Sequence, residues 1–182
     1  MNRAVRILFL GYSLMLLPLA GLAESNSLLV PATGRCVLDT PADSREQALA
    51  QCLSLAEGGD AEAQYELGEY FYSDHLKDRD LPAALHWYEQ ASLQGHPDAQ
   101  LRLGLLFWQG EGVTANALQA YIVLKMAAVN GSDEAMDSAD EVAESMSREE
   151  LGHANRLLGE IFRNYLLELQ AGEFGPPFAP LR

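Results

Sequence analysis

Beyond residue 44 apolar and small side chains return every three or four positions, which is the spacing of a helix with one buried face. Ala63, Leu67 and Phe71 share such a face, and so do Ala99, Leu103 and Phe107. The two stripes lie 36 residues apart, and their surroundings repeat with them: Gly59 to Gly68 aligns on Gly95 to Gly104 without insertion. In the same register Ala84 matches Ala120, Tyr88 matches Leu124, Ala91-Ser92 matches Ala127-Ala128, and Gly95 matches Gly131. A period of this length holds two helices and two turns.

One period earlier, Ala48, Leu49, Cys52 and Ala56 fall on Ala84, Leu85, Tyr88 and Ser92, so a lone second helix precedes the first full unit. One period later, Ala135 and Ala139 fall on Ala99 and Leu103, but Asp140 replaces the small residue at Gly68 and Gly104. The pattern predicts an all-α solenoid of antiparallel helix pairs over residues 44–170, in about seven helices. Its units are 59–94 and 95–130, with a divergent cap at 131–170. Pro82 suits a first helical turn, and Gly59, Gly95 and Gly131 suit helix ends. Ser147 and Glu150 form a capping box that opens a long last helix with an apolar stripe from Leu151 to Leu169.

At these residues the chain resembles the Sel-one-like repeat family, short relatives of the tetratricopeptide repeats. The second unit carries the pattern nearly complete, in Ala99, Leu103-Gly104, Phe107, Gly110, Gly112-Val113, Ala120, Ala127-Ala128 and Gly131. The first unit departs from it at Asp74, Leu76 and Lys77, where the family has Gly, Gly and Val. The resemblance implies a superhelix that binds other proteins. Exported members serve as adaptors in envelope signalling, motor assembly and polysaccharide export. Some cysteine-rich relatives are linked to cell-wall or β-lactam chemistry, but their cysteines run through every repeat.

Outside the repeats, Arg3 and Arg6 precede an almost wholly apolar stretch from Ile7 to Ala20, and Gly21-Leu22-Ala23 offers a small-x-small cleavage site. Residues 1–23 read as a secretory signal peptide. Pro18 and Gly21 interrupt the stretch, which favours cleavage over retention as an anchor. Residues 24–43 read as an extended arm. The Pro-rich tail, 171–182, is either flexible or a short docking motif using Phe174 and Phe178.

Export changes how Cys36 and Cys52 are read. An even pair in an oxidising compartment is first a disulfide and only second two buried thiols. The chain has 182 residues and a formal charge of −14, which becomes −16 once residues 1–23 and their two arginines are removed. Such a charge repels nucleic acid and anionic membranes and leaves cationic or apolar protein surfaces as partners. With the signal gone, no stable membrane insertion is expected.

Chemistry is scarce. Catalytic motifs and phosphate loops are missing, and His75, His86, His96 and His153 are dispersed. The expectation is a non-enzyme with no cofactor and no metal site. In tetratricopeptide-type units the first helices line the concave side. Counting from Leu67-Gly68 and Leu103-Gly104 assigns Tyr65, Glu69, Tyr72, Leu101, Leu105 and Trp108 to that face, followed by Glu134, Asp137, Glu141 and Glu144. A groove running from aromatic to acidic suits a peptide or helix with apolar anchors and Lys or Arg. The competing reading is that Tyr72 and Trp108 pack between helices and the acids form a solvated face. The sequence therefore points first to a periplasmic scaffold or adaptor of the envelope. A hydrolase of the cysteine-rich type, or a structural subunit of an envelope complex, is the alternative.

Overall fold

The structure is a computed structural model that describes residues 35–41, 43–73 and 79–171. Seven helices and no strand occur among them: α1 (Arg45–Glu57), α2 (Ala61–Tyr72), α3 (Leu81–Leu93), α4 (Pro97–Gln109), α5 (Ala117–Val129), α6 (Asp133–Ser145) and α7 (Arg148–Ala171). The signal-peptide stretch, the tail with Phe174 and Phe178, and the divergent Asp74, Leu76 and Lys77 lie outside the described residues.

The 36-residue period reappears as repeated chemistry at the helix ends. Asp60, His96 and Ser132 each accept a bond from the backbone N–H three residues on, at Ala63, Ala99 and Ala135. Asp80 and Asn116 do the same for α3 and α5. Each cap satisfies a donor that the first turn would leave unpaired. Gly59, Gly95 and Gly131 turn the chain before the caps of α2, α4 and α6 with φ of 91°, 82° and 108°, a region that side chains with a Cβ rarely enter.

Close contact between paired helices also repeats. Gly68 lies under the ring of Tyr88, and Gly104 lies under Leu124. A second device is a buried amide clamp. Gln64 Nε2 donates to the Ala56 carbonyl at the end of the preceding helix, and its Oε1 accepts from Gln94. One period on, Gln100 donates to the Ser92 carbonyl and accepts from Asn130. The clamp ties each first helix to the second helices on both sides.

The third unit lacks both devices. Its counterpart of Gln100 is Met136, which is exposed, and its counterpart of Gly104 is the exposed Asp140. Whereas α3 and α5 pack along their own first helices, α7 packs on α5 and not along α6. The link explains this: eight and seven residues join α2 to α3 and α4 to α5, but only Met146 and Ser147 join α6 to α7. The capping box forms as the sequence predicts, with Ser147 N–H donating to Glu150 and Glu150 N–H donating to the Ser147 hydroxyl. Ala154 is fully buried, and Tyr121 donates to Asn155, fixing the start of α7 on α5.

At the other end Cys36 and Cys52 are joined, with Cα atoms 4.6 Å apart. The bond holds the 35–41 coil against α1, and Cys36 and Leu38 cover the cluster of Cys52, Ala56, Ala63 and Leu67. This coil occupies the side of α1 that has no preceding repeat.

Candidate functional site

The first helices α2, α4 and α6 approach one another across the stack; among the other helices α5 meets α7, while α1, α3 and α5 show no comparable approach to one another. The first helices thus form one continuous row of the stack. It carries ten carboxylates against the single guanidinium of Arg102. The other four helices carry seven carboxylates against five Lys and Arg. The acidity of the described helices is concentrated in the first-helix row, and six of its ten carboxylates lie on α6.

On α2, Tyr65 is half-buried and stacks on His96 with ring centroids 4.8 Å apart. His96 accepts the Ala99 N–H at Nδ1, which places the ring proton on Nε2, 3.1 Å from Glu62. Glu69 sits at the centre of a network, holding Arg102 through both oxygens at 2.7 and 3.2 Å and accepting the Tyr88 hydroxyl at 2.7 Å. Tyr72 donates to Glu111 at 2.9 Å, and the Arg79 guanidinium lies over its ring, 4.9 Å from the centroid. These contacts hold Tyr65 and Tyr72 of α2 in place.

Burial sets the phenols apart from ordinary tyrosines. Tyr88 is wholly buried; desolvation, then its bond to Glu69 and that carboxylate's charge, push its pKa far above the usual phenol value. The pKa values of Tyr65 and Tyr72 are raised by the same leading cause, burial. None of these hydroxyls is a base at neutral pH.

On α4, Leu101 is only 8% exposed and packs in the core with Tyr121 and Leu124, so it offers a partner little surface. Leu105 and Trp108 are half-buried and pack against the same core. Leu105 borders a small cleft with Tyr72, Tyr88 and Arg102. On α6, Glu134, Asp137, Glu141 and Glu144 are all exposed, because the opposite face of that helix buries Ala135, Ala139 and Val142. None of the four has an ion-pair partner among the described residues.

Counting along the sequence missed Arg102, Tyr88, Arg79 and Glu111. A signal for the first was present: Arg102 follows Glu69 by 33 residues, one period less one helical turn, the offset at which stacked first helices face each other. Among the described residues no group of three His, Cys, Asp or Glu is placed to hold a metal ion.

Comparison with known proteins agrees with this architecture. The Sel1 repeat model matches residues 61–96 and 97–132, two residues later than the units counted from the glycines. A protective antigen present in uropathogenic Escherichia coli strains, displaying an SLR fold, superposes with a TM-score of 0.60 at 24% identity, over 65% of this chain and 25% of that one. A Sel1 repeat protein from Oxalobacter formigenes aligns at 30% identity with a TM-score of 0.48, over 52% of this chain and 39% of that one. The chain thus spans well under half the length of either. No curated protein matches the sequence. Sel1 repeats suggest a protein–protein interaction scaffold, typically non-catalytic. Two matched units in phase over residues 61–132, with α6 continuing the row of first helices, support a Sel1-like repeat protein.

Proposed function

We propose that the protein is an exported scaffold of the bacterial envelope, acting in the periplasm, and that it binds another protein along the face of α2, α4 and α6. The observation that carries this reading is the segregation of charge: ten acids and one arginine on the first-helix row, with Tyr65, Tyr72, Leu105 and Trp108 at its aromatic end. Half-exposed aromatic side chains on a rigid support suit an anchor, and unpaired carboxylates beyond them suit a basic segment of the partner. Trp108 stands ready as that anchor, since it packs on the core with part of its ring still exposed.

Export is supported by the Arg3-to-Ala23 sequence and by the Cys36–Cys52 bond, which persists in oxidising compartments. Among the described residues no helix is long and apolar enough to cross a membrane. The test is cross-linking in intact cells followed by capture from envelope extracts. Recovery of one or more envelope proteins that are lost with Trp108→Ala supports the scaffold reading. Recovery unchanged by Trp108→Ala, or found only in the cytoplasmic fraction, overturns it.

A further inference from the structure

Beside the groove lies an open cavity of about 270 Å³, walled by three separate segments. Leu38 and Asp39 come from the tethered coil, Arg45 from α1, and Glu66, Glu69 and Tyr70 from α2. Glu69 is already engaged by Arg102 and Tyr88. Glu66 is not: it is half-buried, with no hydrogen bond or ion pair among the described residues. Its pKa is raised, first by burial and then by the neighbouring charges of Glu62 and Glu69, with His96 opposing them. Arg45, the one cation in the wall, is exposed at the rim and forms no pair with it.

An ionised carboxylate partly removed from water, with two other carboxylates near it, gains free energy from a cation that reaches it. The walls further restrict which cation fits. Leu38 and the Tyr70 ring offer apolar surface suited to a methylene stem, with the charged head at Glu66. A cation carried on such a stem is a Lys or Arg side chain rather than a bare ion.

We propose that this cavity receives one lysine or arginine side chain of the partner protein, and that the Cys36–Cys52 bond completes it by holding the Leu38–Asp39 wall in place. The inference rests on the scaffold reading and extends its binding face past α2 to the disulfide-tethered coil. Oxidation state then controls the site, because reduction frees the wall while leaving the groove of α4 and α6 intact.

The experiment titrates the isotopically labelled full chain with Nα-acetyl-lysine methylamide, using the norleucine analogue as the uncharged control. Amide shifts at residues 35–45 and 66–73 are expected with the lysine compound alone. Glu66→Gln weakens binding about threefold to fivefold, the scale of a part-exposed ion pair. Arg45→Gln strengthens it about twofold by removing a like charge. Trp108→Ala leaves it unchanged, which separates this site from the groove. Reduction abolishes the shifts, and Leu38→Gly in the oxidised protein weakens them should the reduced chain lose its fold. Equal shifts with norleucine, indifference to Glu66→Gln, or shifts centred on α6 overturn the proposal, even where Trp108→Ala abolishes partner capture and upholds the groove.

Discussion

The side-chain amide of Gln100, wholly buried, donates to the Ser92 carbonyl at 3.0 Å, and Gln64 repeats the bond to Ala56 one period earlier. This bond fixes the angle at which one unit follows the next, since it joins the first helix of a unit to the last turn of the helix before it. Gln100→Leu keeps the volume but removes one of the Ser92 carbonyl's two donors, leaving it the Gly95 N–H, and takes the acceptor from the Asn130 amide. Chemical denaturation should show a loss of about 1–3 kcal/mol. Met136→Gln, at the exposed counterpart, should stay within about 0.5 kcal/mol.

The two close glycines differ in what they meet. A Cβ on Gly68 would stand 2.5 Å from the Tyr88 ring, which is pinned at its hydroxyl by Glu69, whereas at Gly104 the nearest atom is Leu124 Cγ at 2.6 Å. A leucine can change rotamer and a pinned ring cannot. Overpacking costs about 1–3 kcal/mol and the better helix propensity of alanine returns about 1. Gly68→Ala should therefore lower the thermal midpoint more than Gly104→Ala.

Removing the Cys36–Cys52 bond should cost about 3 kcal/mol, the scale for a loop closed by residues sixteen apart. Cys36→Ala is the informative variant, because Cys52 is wholly buried and its loss would also open a cavity. Hydrogen exchange should rise first in α1, which has no repeat before it among the described residues. Unchanged exchange in α1 would show that the coil needs no tether.

Alkaline pH should unfold the protein early. The folded-state pKa values of Tyr88, Tyr65, Tyr72 and Tyr121 are all raised, with burial the leading cause. The folded chain therefore keeps protons that the unfolded chain releases near the ordinary value of 10.0. Stability from this source is fully present below that pH and is lost as pH rises above it. Tyr88→Phe should flatten the fall above pH 10 while lowering stability at neutral pH. A fall equally steep in the variant would remove Tyr88 from the account.

On the first-helix face, Trp108→Ala should weaken capture of the partner by about 2 kcal/mol or more. Reversal of Glu141 and Glu144 to Lys should slow association at low salt and matter little at high salt. Circular dichroism checks that the fold survives, since both acids are exposed.

The sequence alone determined the helices, their period, the paired glycines and the last capping box, because these depend on residues within one period or one turn. Tyr65, Glu69 and Tyr72 were legible as one flank of α2 for the same reason. Leu101 was assigned to the groove by the same count, yet it packs in the core with Tyr121 and Leu124, because the packing of α4 on α5 decides which flank of α4 is covered. Only the tertiary structure decided that α7 packs on α5, since a two-residue link fixes a direction that periodicity does not encode. Only it placed Arg102 on Glu69, and the coil of Leu38 and Asp39 beside Glu66, because these neighbours come from different units and meet through the packing between them.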